Sequence, residues 1–332
     1  MTQTVLITGI SGQTGSFLAK HLVDQGAQVH GTSRGIDKPS WRLSHFGIEN
    51  DVTLHAVGPD DFSAIKDLAA RKFDKIFHLA AESSVASSLA HPSRTAQANL
   101  LQTTYWLEAL RDQSPKTRFF NAASSEIFAA SDQLLTEDSP FQATNPYAVT
   151  KLAAANMATV FRDSFDMFIV NGYLFNHESE MRDARFVTGK IIKNLCDMAK
   201  DKDAPAFDLG NIYAQRDFSH AEDFARAIAL SLGHDSAQDY IFASGHLRSV
   251  KDFFNSAARQ LGFDPRWSGS KLDEVCNDKS TGRKLVSINP EFYRPIDEAG
   301  KAGDSSRARE CLNWTPEISF DALVARMIGL YA

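Results

Sequence analysis

The chain begins with an apolar run that passes through a glycine-rich turn into a helical pattern, and this start constrains the fold more than any other feature. TVLITG is followed by ISGQTG and then by SFLAKHLVDQG, whose apolar residues recur at helical spacing. Gly9, Gly12 and Gly15 would allow a tight turn, close approach of the backbone to a pyrophosphate, and close packing of helix on strand. The pattern predicts a dinucleotide-binding turn, although its G-x-x-G-x-x-G spacing is not the common G-x-G-x-x-G. A glycine turn without a ligand is the alternative.

Short apolar runs continue to alternate with helical patterns as far as about residue 176. The strand-like runs are QVHGT, VTLHAV, DKIFHLA, TRFFNAAS and MFIVNGYLFN. Strands that alternate with helices predict an α/β fold with a Rossmann-like, doubly wound parallel sheet. Beyond that point the alternation weakens. We therefore expect a sheet domain over 1–176 that carries the catalytic residues. A smaller α/β domain over 177–332 would bind substrate, with some of its segments returning to the sheet domain.

The residues that end the second predicted strand bear on the choice of cofactor. An acidic residue there would favour NAD, because it would bond the adenosine ribose hydroxyls. The chain instead has Ser33 and Arg34, which could hold a 2′-phosphate. We therefore expect NADP rather than NAD, with a solvated loop arginine as the alternative for Arg34.

The segment YAVTK places Tyr147 and Lys151 four residues apart at the start of a strong helical pattern, and hence on one helix face. An ammonium beside a phenol favours the phenolate, so we expect Lys151 to lower the pKa of Tyr147. In isolation, an exposed tyrosine–lysine pair is the simpler interpretation. Downstream of a dinucleotide turn, a catalytic pair is favoured.

A second group of polar residues follows the predicted strand TRFFNAAS. Ser124 and Glu126 would lie at the carboxyl edge of the sheet, where open α/β sheets bind their ligands. Ser124 could donate a hydrogen bond to a substrate oxygen, and Glu126 could act as a second acid or base. Turn chemistry for the serine and a solvated carboxylate for the glutamate are the alternatives.

Composition excludes several other classes of function. The net charge of −6 argues against a nucleic-acid partner bound through a basic surface. Cys196, Cys276 and Cys311 have no metal-binding or redox spacing, so we expect reduced thiols and no metal site. The amino-terminal residues contain no signal-peptide pattern, and no apolar run reaches the roughly 18 residues of a membrane span. We therefore expect a soluble cytoplasmic protein with no membrane partner.

Taken together, TGISGQTG, HLAAESSV, SSE and YAVTK resemble the extended short-chain dehydrogenases/reductases. Downstream, NGYLFNHES, RFVTGKI, QRDFSHAEDF and GDSSRARECLNWTPE resemble the GDP-mannose 4,6-dehydratase family, over nearly the full chain. The resemblance implies a nucleotide-sugar 4,6-dehydratase that uses NADP. Its substrate would be GDP-mannose or a related GDP-linked hexose or heptose, and the enzyme would be a homodimer or a tetramer.

The resemblance also assigns roles to particular residues. It implies that Tyr147 is the base for the sugar 4-hydroxyl, with Lys151 beside it, and that Glu126 handles the C5 proton and the C6 hydroxyl. Ser124 stands where the family has threonine. The residues implied to bind cofactor are Gly9, Gly12, Gln13, Thr14, Gly15, Arg34, Leu79, Ala80, Ala81, Tyr147, Lys151, Leu174, Asn176 and His177. Those implied to bind substrate are Glu82, Ser83, Asn176, Val187, Lys190, Arg216 and Arg294.

The chain departs from the family at several places. Glu180, Met181 and Arg182 replace a proline and two arginines in a loop that, by the resemblance, reaches a neighbouring subunit's cofactor. Glu82 and Ser84 replace a glutamine and a histidine near the expected cleft. Two alternative functions therefore stay open: an NADP-dependent reductase or epimerase acting on a related nucleotide sugar, and a nucleotide-binding relative without catalysis.

Overall fold

A computed structural model describes residues 2–36, 40–292 and 300–331. Its main sheet has seven parallel strands in the order β11-β6-β5-β4-β1-β2-β3. These strands are β1 (Thr4–Thr8), β2 (Gln28–Ser33), β3 (Val52–Ala56), β4 (Lys75–His78), β5 (Arg118–Ser124), β6 (Ile169–Leu174) and β11 (Tyr240–Phe242). The predicted Rossmann-like parallel sheet is confirmed.

Helices cover the faces of this sheet and pack around the smaller sheets. They are α1 (Gln13–Asp24), α2 (Trp41–His45), α3 (Phe62–Ala69), α4 (Val85–Ala90), α5 (Pro92–Ala96), α6 (Gln102–Gln113), α7 (Pro146–Phe165), α8 (Val187–Lys200), α9 (Ala221–Ser231), α10 (Val250–Gln260), α11 (Ser306–Leu312) and α12 (Phe320–Gly329). Asn145 caps α7 by accepting the Ala148 amide, and Pro146 occupies its first turn, where a missing N–H costs nothing. No helix among the described residues is long and apolar enough to cross a membrane.

The smaller sheets come from the second half of the chain. They contain β7 (His177–Glu178), β8 (Phe207–Leu209), β9 (Gln215–Asp217), β10 (Ser219–His220), β12 (Leu247–Ser249), β13 (Pro265–Ser268), β14 (Val275–Asp278) and β15 (Lys284–Ile288). One sheet has the order β13-β14-β15-β8, and the pairs β10-β7 and β12-β9 stand apart from it. The domain division at residue 176 stays a prediction, and β11 adds a later segment to the main sheet.

Two apolar clusters line the faces of the main sheet, and a third fills the space between α8, α10, α12 and the four-stranded sheet. Phe77 and Phe120 belong to one of the first two, and Ile76 and Phe119 to the other. Neighbouring residues of β4 and β5 therefore point to opposite faces, and both faces are apolar. This is the pattern of strands buried on both sides, and it leaves the strand ends to carry polar residues.

One helical prediction differs from the structure. The apolar spacing of RTAQANLLQTTYWLEALRD predicts a single helix, but a π-helical turn at Gln97–Leu101 interrupts this stretch between α5 and α6. A π-turn rotates the side chains that follow it, and such turns are frequent at functional sites. Here Asn99 is turned inward and is almost completely buried.

Candidate active site

The carboxyl ends of β1, β5 and β6 bring the predicted site residues to one edge of the main sheet. The glycine turn follows β1, Ser124 ends β5, and Asn176 and His177 follow β6. The first turn of α7 contributes Tyr147 at the same edge, as its hydrogen bond with Ser124 shows. The fold therefore assembles residues that lie far apart in the chain.

The glycine turn has the geometry that a dinucleotide needs. Gly9 has a φ of +69°, and a Cβ on Gly15 would lie 2.4 Å from the Gly9 carbonyl oxygen. A side chain is therefore excluded at Gly15 and strained at Gly9. Gly12 precedes α1 and no side chain caps the helix amides. Uncapped amides at a helix amino terminus attract anions, so these residues fit a bound pyrophosphate.

Gln13 and Thr14, at the start of α1, both bond to His177. The Thr14 hydroxyl lies 2.7 Å from His177 Nε2, and Gln13 Nε2 donates to the His177 carbonyl at 2.9 Å. His177 Nδ1 faces the Phe175 carbonyl oxygen at 2.8 Å and must carry the proton, which leaves Nε2 to accept from Thr14. Burial lowers the pKa of His177 to about 4, so this ring is neutral at physiological pH. These contacts tie the end of β6 to the start of α1.

A cavity of about 230 Å³ lies at the ends of β1 and β2, beside Ser11 and Ser33. Arg34 is exposed next to it. Arg42 lines the cavity and was missed by the sequence reasoning. Its Nη1 donates to the Ser11 carbonyl at 3.2 Å, and its Nε and Nη2 donate to the Met181 carbonyl at 3.2 and 3.0 Å. The wall of this cavity thus contains a fixed cation in addition to the neighbouring Arg34.

Leu79, Ala80 and Ala81 follow β4 and pass close to the glycine turn. The amides of Leu79 and Ala80 donate to the Thr8 hydroxyl at 3.1 and 3.0 Å. A Cβ on Gly9 would lie 3.0 Å from the Ala80 backbone. The close approach of these two segments is a further reason for glycine at position 9.

Ser124 lies between the two candidate acid/base groups. Its Oγ accepts the Glu126 amide at 3.2 Å at the start of a 3₁₀ turn over Ser125–Ile127, and its side chain bonds with the Tyr147 hydroxyl. Burial raises the pKa of Tyr147 to about 12, against the opposing effect of the Ser124 hydrogen bond. Glu126 is half-buried, and its negative charge adds to the rise in the Tyr147 pKa. The serine therefore connects the phenol to the carboxylate-bearing turn.

Lys151 is buried on the same face of α7 as Tyr147. Its Nζ donates to the Ala122 carbonyl of β5 at 2.7 Å, and burial lowers its pKa to about 8. We expected this lysine to lower the pKa of Tyr147, and in this structure that expectation is wrong. Burial of the phenol dominates, and the ammonium is directed to a backbone carbonyl instead.

Asn99, which sequence reasoning also missed, positions the segment that carries Glu82 and Ser83. Its Oδ1 accepts the Glu82 amide at 2.8 Å, while its Nδ2 donates to the Glu82 carbonyl at 3.2 Å and to the Thr150 hydroxyl at 3.1 Å. The cleft wall at residues 80–84 is thereby attached to α7. An asparagine inside an apolar helical stretch gave no signal of this, because the π-turn that directs it inward cannot be read from periodicity.

Apart from Glu82 and Ser83, the predicted substrate residues lie in the second half of the chain. Val187 begins α8 and is exposed, and Lys190 follows one turn later with its Nζ 4.4 Å from the Phe292 ring centre. Arg216 lies on β9, and the half-buried Asn176 follows β6. The predicted Arg294 lies outside the described residues. Within the described ranges, no group of three or more His, Cys, Asp or Glu side chains could hold a metal ion.

The segment Glu180–Arg182 is bonded within its own chain. Met181 is buried in the main core, Glu180 pairs with His220 at 3.1 Å, and Arg182 Nε lies 2.8 Å from the buried Glu178 carboxylate. Together with the bonds from Arg42 to the Met181 carbonyl, these contacts fold the segment against the cofactor turn.

A Rossmann-like sheet, an uncapped glycine turn and a tyrosine–lysine pair at one sheet edge define the class of α/β protein that has a dinucleotide-binding turn at the carboxyl edge of its sheet. The family model described as GDP-mannose 4,6 dehydratase matches residues 6–327. The chain belongs to the GDP-mannose 4,6-dehydratase family.

Individual relatives agree with this assignment. The chain is 35% identical over 332 residues to the GDP-mannose 4,6-dehydratase sdnI of Sordaria araneosa, covering 98% of this chain and 60% of that one. It is 34% identical over 337 residues to the GDP-mannose 4,6 dehydratase of Cricetulus griseus. That match covers 98% of this chain and 90% of the relative. Among solved structures, the UDP-N-acetylglucosamine 4-epimerase of Methanobrevibacter ruminantium shares the fold. Its TM-score is 0.82 and its identity 20%, with 100% and 99% of the two chains covered.

Proposed function

We propose that this chain is a nucleotide-sugar 4,6-dehydratase, a hydro-lyase that converts GDP-mannose or a related GDP-linked hexose or heptose to the 4-keto-6-deoxy sugar. The observation that carries the proposal is that Ser124 contacts both acid/base residues. Its side chain bonds with the Tyr147 hydroxyl, and its Oγ accepts the backbone amide of Glu126. Oxidation at one carbon needs one proton acceptor. Elimination of water needs another, and Glu126 supplies it.

Each proton in this reaction has a residue to carry it. A bound NADP would supply the acceptor for the hydride from the sugar C4 and the donor of the hydride to C6. Tyr147 takes the 4-hydroxyl proton, and the resulting 4-keto group acidifies the C5 hydrogen. Glu126 removes that hydrogen as a proton and delivers it to the C6 hydroxyl, which leaves as water. Tyr147 then returns its proton to C5, so both residues end as they began and the sugar has lost one water.

The remaining residues bind and orient. Lys151 holds a ribose hydroxyl of the cofactor, and Ser124 bonds to the sugar oxygen at C4. Lys190, Arg216 and Arg294 supply cations for the GDP diphosphate, since charged donors bind phosphate oxygens strongly. The other residues proposed to contact the two ligands are Leu79, Ala80, Ala81, Glu82, Ser83, Leu174, Asn176 and Val187.

The proposed activity is tested by supplying nucleotide sugars without reduced cofactor. The purified protein should convert GDP-mannose, or a related GDP-sugar, to a product lighter by one water, measured by mass spectrometry. The hydride is returned internally, so no NADPH should be consumed. Turnover that requires added NADPH would instead identify a reductase, and an isomer of unchanged mass would identify an epimerase. Binding of nucleotide without any turnover would identify a non-catalytic relative.

NADP is the proposed cofactor because two arginines border the cavity at the end of β2. Arg34→Ala should weaken NADP binding about tenfold and leave NAD binding nearly unchanged, since a charged hydrogen bond to the 2′-phosphate is lost. Fluorescence titration of both cofactors measures the difference. Arg94→Ala, at an exposed arginine away from the cavity, is the matched control. Equal weakening of NAD and NADP by Arg34→Ala would contradict the assignment.

We further propose a cytoplasmic homodimer. All three cysteines are unpaired, which fits a reducing compartment. Val149 and Val160 are more than half exposed on α7, three turns apart on one face, and Leu89 on the neighbouring α4 is 63% exposed. A second copy of this chain would cover these apolar side chains.

Val160→Glu should convert the dimer to a monomer, because it would bury an unpaired charge at the interface. Light scattering coupled to gel filtration measures the mass. Leu230→Glu, at a similarly exposed leucine on α9, should leave the mass unchanged. A variant at Val160 that stays dimeric would place the interface elsewhere.

A further inference from the structure

A cavity of about 670 Å³ opens at the amino-terminal edge of the main sheet, at the opposite end of the strands from the candidate active site. Its walls come from the starts of β4 and β5, from the residue before β1 and from the turn after α9. Arg118 begins β5 and Ser124 ends it, so roughly 20 Å of strand separates the two places. The volume lies within the range of small-molecule sites, about 300–1,000 Å³.

The cavity is cationic, although the chain as a whole carries a net charge of −6. The positive side chains among its described lining residues are Lys72, Lys75, Lys116 and Arg118. The carboxylate among them is Asp74, whose Oδ2 already accepts the Thr4 amide at 2.7 Å. The positive charge therefore exceeds the negative charge at this place, and one oxygen of the carboxylate already has a backbone partner.

Arg118 is held in place before any ligand arrives. Its Nη1 donates to the carbonyls of Leu232 and His234 at 3.0 and 2.7 Å, and its Cζ lies 4.2 Å from the centre of the Phe168 ring. A guanidinium fixed in this way loses little conformational freedom on binding. Its planar set of N–H donors matches the oxygens of a phosphate.

Lys75 stands beside Arg118 and is half-buried. Burial and the Arg118 guanidinium lower its pKa, and the nearby Asp74 carboxylate only partly opposes them. An anion between the two cations would remove the repulsion and supply acceptors for both. The amides of Gln3 and Gln113, which also line the cavity, could bond to hydroxyl groups of the same ligand.

We propose that this cavity is a second ligand site, which binds the phosphate or diphosphate group of a phosphorylated metabolite between Arg118 and Lys75. Lys72 and Lys116 add positive charge at its rim. The site is distinct from the dinucleotide turn, which binds its pyrophosphate through helix amides at the other edge of the sheet.

Inorganic pyrophosphate is the probe. The full chain is first saturated with NADP and GDP, so that the cleft at the carboxyl edge is filled, and is then titrated by calorimetry at low ionic strength. We expect one saturable site per chain. Lys75→Gln should weaken binding about tenfold, because a charge-assisted hydrogen bond is lost. Arg118→Lys, which retains the charge but loses the planar donors, should also weaken it.

Two further variants distinguish a specific pyrophosphate site from non-specific attraction of pyrophosphate to surface lysines. Lys116→Gln, at an exposed position that cannot affect the core, should weaken binding a few-fold, and Lys202→Gln, at an exposed lysine elsewhere, should not. No saturable binding, or equal weakening by Lys116→Gln and Lys202→Gln, would overturn the proposal. Because pyrophosphate binding is compared between variants without any turnover, the result does not depend on the proposed dehydratase activity.

Discussion

Glu126→Gln should strongly slow the loss of water while leaving the cofactor bound and the sugar C4 still open to oxidation. Glutamine retains the shape of the half-buried side chain but cannot take the C5 proton, so we expect dehydration to slow by about 10²–10⁴-fold, the usual contribution of a general base. Product formation is followed by mass spectrometry, and oxidation at C4 by the absorbance of the reduced cofactor after mixing.

Tyr147→Phe distinguishes the role of Tyr147 in oxidation at C4 from that of Glu126 in elimination. It removes the acceptor of the 4-hydroxyl proton, so both oxidation and dehydration should fall together. Glu310→Gln, at an exposed glutamate on α11, is the matched control and should retain full activity. If Glu126→Gln dehydrates the sugar at the wild-type rate, the carboxylate has no part in elimination and the dehydratase assignment loses its main support.

Lys151→Met should make the protein inactive and, at neutral pH, more stable. Activity should fall by about 10²-fold, since the proposed contact of Lys151 to a ribose hydroxyl is lost and the cofactor is no longer held in position. Burial lowers the pKa of Lys151 from 10.5 to about 8, so holding its charge in the folded state costs about 3 kcal/mol. Loss of its bond to the Ala122 carbonyl costs about 1 kcal/mol in the variant. The free energy of unfolding should therefore rise by about 2 kcal/mol, the difference of these two terms.

The difference in the free energy of unfolding between Lys151→Met and the wild type should depend on pH. Below pH 8 the lysine is charged in both the folded and unfolded states, and the full penalty applies to the wild type. Between pH 8 and 10.5 the unfolded state binds more protons than the folded state, so wild-type stability rises with pH. The advantage of Lys151→Met should shrink over that window. Urea unfolding at several pH values measures it, with Lys202→Met as an exposed control. A stability difference between Lys151→Met and the wild type that does not change with pH would contradict a lowered pKa of Lys151.

Local patterns in the chain were enough to predict the fold class and to nominate the catalytic candidates. The apolar runs and the glycine spacing are set by residues within about 30 positions of one another, and they specify a strand, a turn and a helix without reference to the rest of the molecule. The Tyr147–Lys151 spacing is likewise a property of a single helix. The prediction of an NAD(P)-type turn next to Thr8 therefore needed no tertiary information.

Contacts between distant segments could not be read in the same way. Thr14 bonds to His177 across 163 residues, and Arg42 bonds to the Met181 carbonyl across 139. Nothing in either local pattern signals its partner, because the contact exists only once the sheet has brought the segments together. Arg42 was therefore missed as a cation lining the cavity at the ends of β1 and β2.

The opening pattern TGISGQTG and the pair in YAVTK thus specified the kind of site, because turn geometry and helix periodicity act over short distances along the chain. The proton affinities of that site depended on packing instead. Burial of the phenol raises the pKa of Tyr147, burial of the ammonium lowers that of Lys151, and a π-turn directs Asn99 inward to hold the cleft wall. Desolvation is a property of all the atoms around a group, so it follows from the assembled fold and not from the spacing of residues along the chain.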